Sequence, residues 1–139
     1  MIKKTIKAWL ASAVFFNLWS LITCGWLFRW VYFAEPTEAL RRGVLSLSDG
    51  FFGLSFLNNL ILTGAFSFIY ALTEKILPGG RFRKGLIFGF FIWLVSWLLP
   101  FMRFVISLNL SIALSVYWCM NGLAVYVLTG VVIGFFYED

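Results

Sequence analysis

Arg103 is the residue whose type and position most directly suggest binding chemistry. It lies near the end of a long apolar segment, and a guanidinium costs roughly 2.5 to 3.5 kcal/mol at mid-membrane, so it requires a partner or a route to water. Together with Arg29 it is a candidate site for a lipid phosphate or another anion. Alternatively, Arg103 reaches the membrane surface or pairs with Glu35, Glu38 or Asp49.

A stripe of polar side chains along the second apolar segment is the next candidate. Residues three or four positions apart share one face of a helix. Such a face could line a path for a small polar solute, or it could supply hydrogen bonds between helices worth about 0.6 kcal/mol each. The stripe consists of Asn59, Thr63, Ser67, Tyr70 and Glu74.

Several tryptophans lie too deep in the apolar segments to belong to the aromatic belts of a membrane interface. Indole rings contact flat or flexible apolar molecules well, so these side chains could wall a pocket for a lipid tail, an isoprenoid or a quinone. Packing inside a helix bundle or contact with lipid is the alternative. The tryptophans in question are Trp19, Trp93, Trp97 and Trp118.

The residue inventory excludes several classes of enzyme. The chain has no histidine, which removes histidine metal ligands, bis-histidine haem and histidine general bases. Cys24 and Cys119 are far apart in sequence and form neither a C-x-x-C pair nor a thiolate cluster within one chain. All the acidic residues lie at or beyond the ends of apolar segments. We therefore expect no cofactor, no metal and no enzymatic activity.

The composition predicts a membrane protein. Of 139 residues, 62% are apolar and 12% are charged, against about 25% charged in an ordinary soluble domain. Four apolar segments are each long enough to cross a bilayer. They cover residues 8–33, 51–73, 85–108 and 111–137, and residues 34–50 form an outer loop. The predicted fold class is all-α, a single antiparallel bundle of four transmembrane helices.

The basic residues predict the orientation of this bundle. Loops rich in Lys and Arg stay on the cytoplasmic side of a membrane. The predicted cytoplasmic set is Lys3, Lys4, Lys7, Lys75, Arg81, Arg83 and Lys84, and the opposite set is Arg29, Arg41, Arg42 and Arg103. Both termini should therefore be cytoplasmic, in a bacterial plasma membrane. This asymmetry also explains the net charge of +5 without a nucleic-acid partner.

Small residues indicate where the helices approach each other. Membrane helices associate through small side chains and through hydrogen bonds between polar ones, so small and polar stripes should face inward. Gly85 and Gly89 begin the third segment, while Gly130 and Gly134 end the fourth, which places the two pairs at the same depth. The third segment's expected inward stripe is Gly85, Gly89, Trp93, Ser96, Pro100, Arg103 and Ser107.

Asparagines within the apolar segments require hydrogen-bond partners, because an unpaired amide in hydrocarbon costs several kcal/mol. Asn58 and Asn59 occur in the second segment and Asn121 in the fourth. We expect these amides to bond to one another or to Tyr117, and thereby to fix the register of the bundle.

Four stretches of the chain resemble a loose group of small four-helix bacterial membrane proteins of unknown function. They are FFNLW at 15–19, GWLF at 25–28, KGLIFG at 84–89 and NGLAVY at 121–126, with Pro100 between the last two. The resemblance implies the fold and brings no activity or site.

The function expected first is that of an accessory or assembly subunit of a membrane complex, or of a homo-oligomer, since so little of the chain lies outside the membrane. A small channel or carrier for a polar or anionic solute is the first alternative. A lipid- or quinone-binding protein is the second. Membrane lipids and other membrane subunits are the expected partners.

Overall fold

The protein is an all-helical, four-helix membrane bundle, as its composition predicts. The computed structural model describes residues 2–27, 30, 49–107 and 112–137, and no strand occurs among them. Four stretches of helix within these residues are long and apolar enough to cross a membrane. They are Ile2–Thr23, Gly53–Thr73, Arg81–Ser107 and Ile112–Phe135.

The helices have the following bounds. They are α1 (Ile2–Ser20), which continues as a π-helical segment (Leu21–Leu27), α2 (Asp49–Thr73), α3 (Arg81–Ile92), a second π-helical segment (Trp93–Leu98), α4 (Leu99–Ser107) and α5 (Ile112–Phe135). We call α3, the second π segment and α4 together the third span. It is one continuous helix whose hydrogen-bond pattern changes in the middle.

Two helices begin earlier than the apolar segments that predict them. The first starts at Ile2 rather than at residue 8, and the third starts at Arg81 rather than at residue 85. Lys and Arg are good helix formers, so the charged flanks continue the helix beyond its apolar part. The predicted outer loop, 34–50, lies outside the described residues except for Asp49 and Gly50, which start α2.

The two ends of the bundle differ in what they carry. At one end the Tyr137 hydroxyl donates a hydrogen bond to Thr5 Oγ1 at 2.6 Å, so the chain begins and ends there. We call this the terminal end, and it also carries the turn between α2 and α3. In that turn Gly79 has a φ of +95°, a left-handed conformation that favours glycine. The opposite end, where α4 stops and α5 starts, is the loop end.

The third span packs most closely against α5, near the terminal end, and glycines permit the contact. A Cβ on Gly89 would lie 2.6 Å from the Tyr126 carbonyl oxygen, and one on Gly130 would overlap the Gly85 carbonyl oxygen. A Cβ on Gly134 would lie 2.8 Å from the carbonyl oxygen of the first residue of α3. All four glycines of the two G-x-x-x-G motifs therefore lie in this one contact.

The other neighbours leave a gap on one side of the bundle. α1 packs against both α2 and α5, whereas α2 and the third span have no extended backbone contact. Near the terminal end the rings of Tyr70 and Phe88 meet edge to face, with their centroids 5.0 Å apart. Side chains therefore close the gap at that end, and the space between α2 and the third span continues toward the loop end.

The inward stripe expected for the third span is wrong beyond Ser96, whose side chain still forms a hydrogen bond with that of Tyr126 on α5. Gly85, Gly89 and Trp93 are buried as expected. Ser96, Pro100, Arg103 and Ser107 are all exposed. The buried positions in this half are instead one residue further along the chain, because Phe101 is 8% exposed and Trp97 faces inward beside it, with their rings stacked at 5.7 Å.

The π-helical segment accounts for this shift. Pro100 has no backbone N–H to donate to the Ser96 carbonyl, so the α-helical bond between them cannot form. Just before it, the Leu99 N–H donates to Leu94 O, five residues back instead of four. The wider turn inserts one extra residue and rotates the part of the helix that follows, where Phe101 is buried and Pro100 is exposed.

In the other spans most polar side chains face inward, as expected from the way that membrane helices associate, and Asn58 is an exception. Six polar residues are buried in the described part of the chain, and Ser67, on α2, is fully so. On the two tightly packed helices Gly89 and Gly130 are buried as well. The buried polar residues are Ser12, Thr23, Asn59, Thr63, Ser67 and Thr129.

Candidate functional site

A cleft of about 240 Å³ lies between α2 and the third span, backed by α1 and α5. We call it the amide cleft. Among the described residues, none that lines it is charged. Those that line it are Phe16, Ser20, Asn58, Asn59, Leu62, Trp97, Trp118, Asn121, Gly122, Val125 and Tyr126.

The depth of the cleft follows from helix geometry. Asn58 lies about 14 Å along α2 from Asp49, and Asn121 lies about 14 Å along α5 from Ile112, at 1.5 Å per residue. Trp97 lies about 15 Å from Ser107 on the third span. Since the hydrocarbon core is about 30 Å thick, the cleft lies in its loop-end half and reaches toward the middle.

Two hydrogen bonds between side chains hold the back wall of the cleft. Asn59 Nδ2 donates to Asn17 Oδ1 at 3.0 Å, which joins α2 to α1. Trp19 Nε1 donates to Asn121 Oδ1 at 2.9 Å, which joins α1 to α5. Asn59 and Asn121 thus each bond to a residue of α1, which the sequence did not lead us to expect.

The indole nitrogen of Trp97 and the amide of Asn58, both at the cleft, have no hydrogen-bond partner among the described residues. The indole nitrogen of Trp97 is buried without an acceptor. The Asn58 side chain is exposed, lines the cleft, and makes no hydrogen bond with that part of the chain. By contrast, the indole nitrogens of Trp9 and Trp19 both donate, the first to Leu60 O at 2.8 Å. An amide left without a partner in hydrocarbon costs several kcal/mol.

Glycine shapes the wall opposite Asn58. A Cβ on Gly122 would overlap Trp97 Nε1, so the indole edge lies directly against the α5 backbone. Trp97 lies within the π-helical segment, four residues after the buried Trp93. Trp97 also stacks on Phe101, which in turn contacts Trp118 edge to face at 6.1 Å. One side of the cleft is therefore a continuous aromatic surface.

Aromatic rings close the cleft toward the terminal end. The Tyr126 ring packs against Phe16 at 5.6 Å and against Phe66 at 5.3 Å between centroids. Phe66 and Tyr126 are both about 95% buried, at 4% and 5% exposure. The amide cleft therefore ends at this ring cluster.

Most of the polar stripe predicted on α2 lies beyond the ring cluster, inside the packed bundle. Asn59 lines the cleft, but Thr63 and Ser67 are 0% exposed and Tyr70 is 1% exposed. Thr63 Oγ1 donates to the Asn59 carbonyl of its own helix at 2.8 Å. The stripe is thus continuous in sequence, but Asn59 is its one residue that lines the amide cleft.

Glu74, the last residue of the stripe, lies at the terminal end near Tyr137. Burial raises the pKa of the Tyr137 hydroxyl, the hydrogen bond with Thr5 lowers it in part, and the negative charge of Glu74 raises it further. Tyr137 is therefore a neutral hydrogen-bond donor at physiological pH.

The structure brings some of the predicted tryptophans together and separates others. Trp97 and Trp118 line the amide cleft, and Trp19 lies behind it, bonded to Asn121. Trp93 is 8% exposed and packs against Phe90 at 5.8 Å, away from the lining of the cleft. Its indole nitrogen is also buried without a partner among the described residues.

The arginine candidates are not brought together in the described part of the chain. Arg103 is exposed on α4, on the side that the π-helical shift turns away from the bundle. Arg29 lies outside the described residues, as do Glu35 and Glu38. Within those residues no group of His, Cys, Asp and Glu is arranged to hold a metal ion.

Asn58 is the residue whose role the sequence could have revealed. Adjacent residues of a helix point about 100° apart, so Asn58 and Asn59 present their amides in different directions, and the second amide is a signal for a polar group beside the buried one. Comparison of the chain with protein-family models, with curated proteins and with solved structures finds no match.

Proposed function

We propose that this chain is a non-enzymatic membrane protein that binds a small, uncharged, lipid-soluble molecule in the amide cleft. The observation that carries the proposal is the pair of unpartnered polar groups, Asn58 and the Trp97 indole nitrogen, on the walls of a cleft at membrane depth. A bound molecule that accepts hydrogen bonds would remove the free-energy cost of leaving them unpaired.

The volume of the cleft is consistent with a head group rather than a whole lipid. Pockets for drug-sized ligands enclose about 300 to 1,000 Å³, and this one encloses about 240 Å³. An apolar tail would then leave between α2 and the third span, where the two backbones stay apart. The exposed side chain of Asn58 lies on this route, so the molecule could enter from the bilayer.

Solvent extraction of the purified protein tests the proposal. Ser20→Phe places a ring in the cleft from α1, and Val14→Phe places the same ring on the exposed face of that helix as a matched control. We expect mass spectrometry of the extracts to find a lipophilic molecule in the wild type and in Val14→Phe, and much less of it in Ser20→Phe. Equal amounts in all three proteins, or none in any, would contradict the proposal.

A second candidate, a subunit of a membrane complex or a homo-oligomer, rests on the same exposed amide. A polar side chain of a neighbouring transmembrane helix could bond to Asn58 and cover the cleft. In that case Asn58→Leu should shift the protein from an oligomer to a monomer in mild detergent, as measured by light scattering. A wild-type protein that is already monomeric would exclude this candidate for the isolated chain.

The orientation proposed for the chain follows the positive-inside rule. The terminal end carries basic residues on both sides of the turn before α3, among them Lys75, Arg81 and Arg83. We place this end in the cytoplasm of a bacterial cell, with the amide cleft in the outer leaflet. A fluorescent protein fused to the C-terminus should then fluoresce, and a periplasmic phosphatase fused there should be inactive.

A further inference from the structure

We infer that the molecule bound in the amide cleft is a quinone, a flat uncharged ring with two carbonyl acceptors and an apolar tail. This inference rests on the proposed function and specifies its ligand. It starts from the two walls of the cleft, where Asn58 on α2 and Trp97 on the third span each offer a donor that the described residues leave unused. A ligand with acceptors on opposite edges can bond to both.

The tryptophans differ in whether their indole nitrogens have a hydrogen-bond acceptor. Trp9 and Trp19 on α1 both have their indole nitrogens bonded within the bundle, at 2.8 and 2.9 Å. The indole nitrogens of Trp93 and Trp97 on the third span are both buried without an acceptor among the described residues, and of these two only Trp97 lines the cleft. The Trp97 nitrogen lies against Gly122, which also lines the cleft, so a rotation of the ring away from the α5 backbone would bring its N–H to a ligand there.

The charge of the residues that line the amide cleft restricts which membrane molecules can bind there. A phospholipid phosphate requires a cation or several donors, and none of the described residues that line the cleft is charged. Burying an unpaired charge at this depth costs far more than burying a hydrogen-bonded carbonyl. The ligand is therefore neutral where it meets the protein.

The depth of the cleft separates a quinone from a glycerolipid. The ester carbonyls of a glycerolipid lie at the boundary between head groups and acyl chains, whereas Asn58 and Asn121 lie about 14 Å from the helix ends. A quinone ring has no charged head group to hold it at that boundary. It can also stack on the aromatic wall formed by Trp97 and Trp118.

Binding is measured on the whole chain in nanodiscs, with three probes of similar size. The probes are a benzoquinone with a decyl tail, decylbenzene, which lacks carbonyls, and dioctanoylglycerol, which carries ester carbonyls. Each is titrated while the unfolding temperature and the ¹H–¹⁵N signals of the indole groups are recorded, because a ligand that binds only the folded protein raises that temperature.

The variants are Asn58→Leu and Trp97→Phe, with Trp93→Phe as the matched control that deletes an unpartnered indole outside the cleft. We expect the benzoquinone to bind the wild type and Trp93→Phe alike, and to bind Asn58→Leu and Trp97→Phe roughly 3- to 10-fold more weakly. The indole signal that is absent from Trp97→Phe should move on titration. Asn58 is exposed, so its replacement tests the inference even if Trp97→Phe fails to fold.

Other results overturn the inference in distinguishable ways. Binding of decylbenzene as tight as that of the quinone, or tighter binding of dioctanoylglycerol, would exclude a quinone while leaving a lipid-soluble ligand in the cleft. If no probe binds although a molecule is extracted with the wild type and not with Ser20→Phe, the quinone is excluded and the proposed function stands. If no probe binds and nothing is extracted, both fail.

Discussion

The hydroxyl of Tyr137 donates a hydrogen bond to Thr5 Oγ1 across 2.6 Å, and so joins the last turn of the chain to the first. The same hydroxyl lies 3.3 Å from the Ser67 carbonyl oxygen of α2. This side chain, which follows the end of α5, thus contacts two other helices, α1 and α2, at the terminal end. This end is closed and tightly packed, whereas the half of the bundle toward the loop end contains the amide cleft.

Removing the Tyr137 hydroxyl should destabilise the bundle modestly. We expect Tyr137→Phe to lower the free energy of unfolding by about 1 kcal/mol, the usual net contribution of one hydrogen bond. Thr5→Val should have a similar effect, and the double variant should lose less than the sum because the two residues share the bond. Denaturant unfolding in micelles measures all three, and full additivity would show that the bond contributes nothing.

The pH dependence of stability follows from the raised pKa of Tyr137. Burial favours the neutral hydroxyl, so the pKa in the folded protein lies above the value of 10.0 for a free tyrosine. The stability from this group is therefore fully present below about pH 10 and is lost as pH rises through the folded pKa.

We expect the free energy of unfolding to lose this contribution only above about pH 10. The loss should be smaller in Tyr137→Phe, which has no hydroxyl to ionise. Glu74→Gln should bring the pKa of Tyr137 closer to 10.0, since it removes the negative charge that opposes ionisation. A decline with the same slope in wild type and Tyr137→Phe would assign the pH dependence to other groups.

Alanine should be poorly tolerated at the glycine contact between the third span and α5. A Cβ at Gly89 would meet backbone atoms of α5 at 2.6 Å, so the helices would have to separate. We expect Gly89→Ala and Gly130→Ala each to cost about 1 to 3 kcal/mol. Gly53→Ala is the control: no atom lies within 4 Å of its added Cβ, and alanine favours helix more than glycine does.

Two phenylalanines of α4 test the register shift caused by the π-helical segment. Phe101 is 8% exposed and Phe104 is 47% exposed. We expect Phe101→Ala to cost about 3 to 5 kcal/mol and Phe104→Ala about 1 kcal/mol or less. A larger loss of stability in Phe104→Ala than in Phe101→Ala would mean that α4 keeps the register of an uninterrupted α-helix, with Arg103 turned toward the bundle.

Sequence patterns predict much of this bundle because membrane helices follow simple physical rules. Span length and apolar composition indicate the four helices, and the equal depth of Gly89 and Gly130 indicates where the third and fourth approach. Both features are local, since they depend on residue type and helix geometry alone. The exposed position of Ser96 is different: it depends on a change in hydrogen-bond pattern ahead of Pro100.

The cleft could be predicted only in part. Trp97 and Trp118 are recognisable as deep tryptophans, and both line it. The separation of α2 from the third span arises from how all four helices pack, which no single segment encodes. For the same reason the bond from Trp19 to Asn121 was not predicted, since it depends on α1 lying between α2 and α5.

The most direct test is an experimental density map of the wild-type protein, purified in its native lipids. We predict elongated non-protein density between α2 and the third span, with a polar end within hydrogen-bond distance of Asn58 and its tail leading into the bilayer. The matched map of Ser20→Phe should lack it. A wild-type map in which α2 and the third span close against each other, with Trp97 bonded to the protein and nothing between them, would contradict the existence of a binding site.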